Sequence, residues 1–132
     1  MTLQKVRSLA RKWQERMRLL DWDLTVKWAD KKDEENHWGF VTKDIHAKTA
    51  IICICHPRNK DWKTADRDIE TILVHELGHL YCAVFEFKLG SKNHIAEEVF
   101  VNHVARLLVA LDRRDESVMN GGHPLSRRAS IR

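Results

Sequence analysis

Cysteine is scarce in this sequence and odd in number: Cys53, Cys55 and Cys82 are all that 132 residues contain. None stands in a C-x-x-C spacing, which excludes the usual zinc ribbon and the dithiol redox pair, and a chain with an unpairable thiol suits a reducing compartment. Long apolar runs are missing as well. Lys5, Arg7, Arg11 and Lys12 interrupt the N-terminal stretch, so it cannot act as a signal-peptide core, and no segment approaches the ~20 residues of a membrane span. The expectation is a soluble cytoplasmic protein without a membrane partner. Internal repeats and long low-complexity tracts are absent, and the chain is too short for a second domain, although 43% apolar residues suffice for one core. The net charge of +4 is gathered near the two ends, and Trp13, Trp22, Trp28, Trp38 and Trp62 are spread out without basic interleaving. That pattern indicates core or interface tryptophans, not a platform for nucleic-acid bases.

What is present is a mixed pattern of helix and strand. Leu3, Val6, Ala10, Trp13, Met17 and Leu20 recur in three- and four-residue steps, which predicts an amphipathic helix over 3–20 with a solvated basic face. Leu24, Val26 and Trp28 alternate with polar residues as a half-buried strand does. Further strands are predicted over 38–42 and 49–55, the latter apolar on both faces and therefore covered. Cys53 and Cys55 then read as core positions. A second helix is predicted from Thr64 or Asp66 to Phe87, stopped by Gly90, and a third over 93–111, rich enough in Val, Leu and Ala to be well buried. Gly121, Gly122, Pro124 and a basic end make 112–132 a loose tail, leaving 1–111 as the single domain. The class is α+β, with a small, mostly antiparallel sheet of about three strands.

The second helix carries His75-Glu76-Leu77-Gly78-His79, the H-E-x-x-H pattern. Four-residue spacing puts both imidazoles on one helical face, close enough to share a tetrahedral metal. Glu76 is then placed to act as general base on a water activated by Zn2+, which lowers that water's pKa to about 7 and polarises a substrate carbonyl. The five letters recur by chance, so the context matters more. Ile69 to Val74 and Leu80 to Val84 are mostly apolar, and burying two imidazoles and a carboxylate among them costs on the order of several kcal/mol unless something pairs with them. The competing reading is two core histidines satisfied by backbone or carboxylate partners.

A catalytic zinc needs a third protein ligand and an open position. Cys82 and Phe85 stand where the metzincin extension requires glycine and histidine, so the ligand must lie further on. Glu97 and Glu98 are the candidates. Glu98 has Asn102 four residues later on its face, an amide able to orient His75 or His79. Glu97 has Val101 there instead, and its phase turns it toward Val101, Val104 and Leu108, where a carboxylate also needs a partner. Glu98 is preferred and Glu97 stays open. His94 and His103 read as capping or surface histidines.

With eighteen residues between His79 and Glu98, and Glu98-Val99-Phe100-Val101-Asn102 after them, the chain resembles the gluzincins, zinc peptidases completed by a glutamate on a following helix. Residues 1–111 also resemble compact metallopeptidases encoded by phages and prophages, through the strand Asp21 to Trp28, the run Ala50-Ile51-Ile52-Cys53-Ile54 and the glutamate helix. The resemblance implies a zincin-like fold, His75, His79 and Glu98 as zinc ligands, Asn102 behind a ligand histidine, a peptide or protein substrate, and a place in the cytoplasm of a bacterial host. It also implies a sheet edge that binds extended substrate, either 38–42 or 49–55, and a His or Tyr for the oxyanion, for which Tyr81, His56 and His103 are candidates. Two other functions compete. Val104-Ala105-Arg106-Leu107-Leu108 is partly similar to regulatory proteases that cleave phage or stress repressors, and a non-catalytic zinc-stabilised interaction module would use the metal but not Glu76.

Overall fold

The computed structural model describes residues 1–30, 38–56, 68–85 and 90–119. The chain runs as α1 (Leu3–Arg16), β1 (Asp23–Trp28), β2 (Gly39–Asp44), β3 (Thr49–Ile54), α2 (Ile69–Tyr81), a 3-10 turn (Ala83–Phe85) and α3 (Lys92–Met119). It is an α+β arrangement of three helices and one three-stranded mixed sheet. No helix among the described residues is long and apolar enough to cross a membrane.

Helix α1 buries Val6, Ala10 and Trp13 as its spacing requires, but it stops at Arg16, four residues before the predicted end. Arg18 takes a positive φ of 60°, and the buried Gln14 amide donates to the carbonyls of Leu19 and Trp22 at 2.9 and 2.7 Å. Those bonds, with the Leu19 carbonyl also accepting from the Trp22 N–H at 3.1 Å, favour a turn over another helical turn. The basic face of α1 is not simply solvated. Lys12 donates to Asp112 at 2.8 Å and to Glu70 at 3.2 Å, Arg16 pairs with Asp112, and the Arg7 guanidinium donates to the Val26 carbonyl.

The sheet order is β1-β3-β2, with β1 parallel and β2 antiparallel to β3. The expectation of a mostly antiparallel sheet is therefore corrected: one of its two pairings is parallel. Asp44 accepts from the backbone N–H groups of His46 and Ala47 and closes the β2–β3 hairpin, while β1 comes to the far side of β3. Ala50, Ile52 and Ile54 point from β3 into the main core, together with Val26, Leu73, Leu77 and Val109. The other face of β3 is only partly covered. Cys53 is buried with Ala29, Cys55 and Phe40 in a small second cluster, but Ile51 is exposed.

Asp68 caps α2, its carboxylate accepting from the Glu70 N–H at 2.9 Å. The predicted start at Thr64 or Asp66 falls outside the described residues, as does the end at Phe87, and the α-helix itself closes at Tyr81. Gly90, with φ of +80°, leads into α3. That helix continues eight residues past the predicted end at Leu111, because Asp112 is buried as the partner of Lys12 and Arg16 while Arg113 pairs with Asp68 and Glu70. A loose tail therefore starts no earlier than residue 120, and 120–132 lie outside the described residues. Nor is α3 buried all round. Val101, Ala105, Val109 and Asp112 face the core, while Ile95, Val99, Phe100, Leu107 and Leu111 are exposed.

Candidate metal centre

Helix α2 packs between the sheet and α3, and two glycines permit the close approach. A Cβ on Gly78 would stand 3.2 Å from the Cβ and Cγ1 of Val101, so the bare backbone lets α3 come near the His75–His79 turn. A Cβ on Gly39 would stand 2.8 Å from the Ile72 side chain and 3.2 Å from the Cys53 carbonyl, so β2 begins where only glycine fits beneath α2.

The four-residue spacing turns His75 and His79 toward one another, Nε2 to Nε2 at 3.3 Å. Glu98 reaches across from α3, with Oε2 at 3.3 Å from His75 Nε2 and Oε1 at 3.1 Å from His79 Nε2. One donor atom from each of the three lies within 4.8 Å of the others, and theirs is the one such group among the described residues. Two imidazole nitrogens and a carboxylate oxygen at this separation suit a tetrahedral dication with one position left over.

The surroundings of the two histidines differ. Burial holds the His75 imidazole below its ordinary pKa, helped by His79 and opposed by Glu98 and by a hydrogen bond with Asn102. A neutral imidazole is the form that binds a metal. His79 is more deeply buried, and its Nδ1 lies 2.6 Å from Glu97 Oε2. A carboxylate on that nitrogen fixes the tautomer with Nε2 free to ligate. Glu97 also accepts a hydrogen bond from Cys82, whose thiol is pushed up by burial and by the Glu97 charge. The two adjacent glutamates thus take different positions, Glu98 against both Nε2 atoms and Glu97 behind His79. Asn102 lies against His75.

Glu76 is buried between α2 and the sheet, and its carboxyl is raised to about 8 by burial and by the negative charge of Glu98, with Lys43 on β2 acting in the opposite direction. A carboxyl buried this deeply is costly to the fold unless something pairs with it. The three oxyanion candidates are placed elsewhere. The Tyr81 hydroxyl donates to the Met17 carbonyl, His103 is on the solvent side of α3, and His56 stacks edge-on against Trp28 with ring centroids 4.6 Å apart. His94 accepts from the Gly90 N–H at the start of α3, a capping role.

Three residues after His79, Cys82 is near the site on helical spacing alone without matching a ligand position, and the structure adds its contact with Glu97. Sequence reasoning missed the partnership of Glu97 with His79 and the proximity of Lys43 to Glu76. The first had a signal, since a carboxylate on the apolar phase of α3 required a partner; the second depends on tertiary placement. Comparison of the chain with protein-family models, with curated proteins and with solved structures gave no match.

Proposed function

We propose that this chain is a zinc-dependent metallopeptidase of gluzincin type on a minimal zincin-like fold, with His75, His79 and Glu98 as ligands and Glu76 as general base. The observation that carries the reading is the convergence of Glu98 on both Nε2 atoms while Glu97 occupies the back of His79. Core histidines satisfied by carboxylates would need only the second contact. Zinc bound by the three would polarise a substrate carbonyl, activate a water and hold the neighbouring Glu76 ionised against its burial.

The remaining steps fall to the chain itself. Glu76 removes the proton as the water oxygen bonds to the carbonyl carbon, then delivers it to the amide nitrogen as the C–N bond breaks. Glu97 keeps His79 in one tautomer throughout, and Asn102 steadies His75. For the substrate, β3 is central and has a strand on each side, which leaves β2 as the edge beside α2. An extended peptide added along β2 would run past Lys43 and bring a backbone carbonyl to the ligand cluster, with main-chain hydrogen bonds supplying affinity.

The test is metal content and cleavage of a mixed peptide library with the wild type, Glu76→Gln and His75→Ala. One zinc per chain in the wild type and in Glu76→Gln but not in His75→Ala, with cleavage by the wild type alone, is the expected result. Folded protein that takes up no zinc would overturn the reading. Zinc bound without cleavage, indifferent to Glu76→Gln, would make the site a structural module instead.

A further inference from the structure

The outward face of α3 is apolar over most of its length. Ile95, Val99, Phe100, Leu107 and Leu111 are 58%, 67%, 56%, 51% and 40% exposed. Ala96 and Ala110 lie on the same exposed side, and the polar residues there include Lys92, His103, Arg106 and Arg114. A helix apolar on both faces belongs in an interior, and among the described residues only the Val101–Ala105–Val109 face has one. The five large side chains present roughly 500 Å2 per copy, near the top of the roughly 300–600 Å2 found for the largest patch of a typical monomer. Two copies pairing over it would bury at most roughly 1,000 Å2 in total, the low end for a specific interface.

The order of side chains indicates what covers it. Ile95, Val99, His103, Leu107 and Leu111 follow one another in four-residue steps, forming one ridge of the helix surface. That ridge reads similarly from both ends, with His103 at its midpoint. Two such helices crossing antiparallel about a two-fold axis at His103 set Val99 against Leu107 of the second copy, while Ile95 and Leu111, turned about 80° to either side of His103, lie at the flanks of the contact. Ala96 then meets Ala110 of the second copy, small against small, which allows the backbones to approach. Arg106 comes opposite Phe100 of the second copy, a cation facing a ring. Like groups meet at the axis, where His103 faces His103 of the second copy, and at the ends, where Lys92 faces Arg114 of the second copy.

We infer that this face of α3 is a homodimer interface in which two copies pair antiparallel about His103. A two-fold contact is self-complementary, so each substitution appears twice and a matched pair on different copies appears once in its favourable combination.

The experiment is sedimentation equilibrium of the full chain in about 0.3 M salt, where the Debye length of about 6 Å suppresses repulsion between the basic ends. The wild type is expected to be a dimer at micromolar concentration, with Val99→Lys and Leu107→Glu each monomeric and each retaining the wild-type circular dichroism. An equimolar mixture of these two variants recovers a dimer, because lysine at 99 of one copy meets glutamate at 107 of the other while the second contact keeps Val99 against Leu107. A mixture of Val99→Lys with Val99→Glu does not recover it. A wild type that stays monomeric at every concentration overturns the inference, as does recovery in both mixtures or in neither. A chain ended at Met119 that dimerises where the full chain does not would also overturn it, making residues 120–132 the cover of this face.

Discussion

Glu97 Oε2 lies 2.6 Å from His79 Nδ1, so the glutamate next to the one facing both Nε2 atoms is committed to the back of the imidazole. Adjacent residues on a helix point about 100° apart, and α3 uses that angle to address two sides of the same histidine. On the proposed reading both carboxylates would contribute to metal affinity, by different routes.

Glu97→Gln should therefore keep a hydrogen bond to His79 while losing the charge that fixes its tautomer. Zinc affinity is expected to fall about 10- to 100-fold, the usual cost of losing such a partner, with the fold intact. Glu98→Gln removes a ligand and should cost more. Chelator competition on both variants measures the difference, and equal losses would contradict the division of roles.

Gly78 governs how near α3 comes. In Gly78→Ala the new methyl meets Val101 at 3.2 Å, so α3 must give by a few tenths of an ångström, while the helix gains roughly 1 kcal/mol of propensity. The two effects oppose one another in stability and not at the metal. Thermal unfolding should change little while zinc affinity drops about tenfold; unchanged affinity would mean that Glu98 reaches the histidines without this close packing.

Glu70 ties three helices together, accepting from Trp13 Nε1 at 2.8 Å, from Lys12 at 3.2 Å and from Arg113 at 3.2 Å. Burial pushes its carboxyl up, but those three donors outweigh burial and hold it below its ordinary value of 4.5. A depressed folded pKa stabilises above the unfolded pKa, and that stability is lost as pH falls through the folded value. The stability gap between wild type and Glu70→Gln should hence be constant above about pH 5 and narrow as pH drops below 4.5, in denaturant titrations at fixed salt. A gap independent of pH would mean that hydrogen bonding alone, without the charge, makes the junction.

Glu76 has the opposite sign. Its folded pKa of about 8 lies above its ordinary 4.5, so in metal-free protein the protonated form is favoured and stability is lost as pH rises from 4.5 through 8. Glu76→Gln, neutral at every pH, is expected to unfold like the wild type near pH 4.5 and to be more stable than it at pH 8, by an amount of the order of a few kcal/mol. Matched denaturation curves in the presence of a chelator decide it, and coincident curves at pH 8 would show that the carboxylate has a compensating partner.

The sequence alone determined those features whose physics is local. Helical spacing put His75 and His79 on one face and Asn102 one helical turn from Glu98, three- and four-residue periodicity made α1, and alternation made the strands. Short-range patterns do not encode which segments meet across space. The parallel pairing of β1 with β3 was therefore not legible, and neither was the end of α3, which depends on Lys12 and Arg16 of a helix a hundred residues away reaching Asp112. The choice between two adjacent glutamates was only half legible, because helical phase shows that they diverge but not what stands opposite each. Tertiary packing sets what each one meets, by bringing α3 against Gly78 at a height where Glu98 meets both imidazoles and Glu97 meets only one.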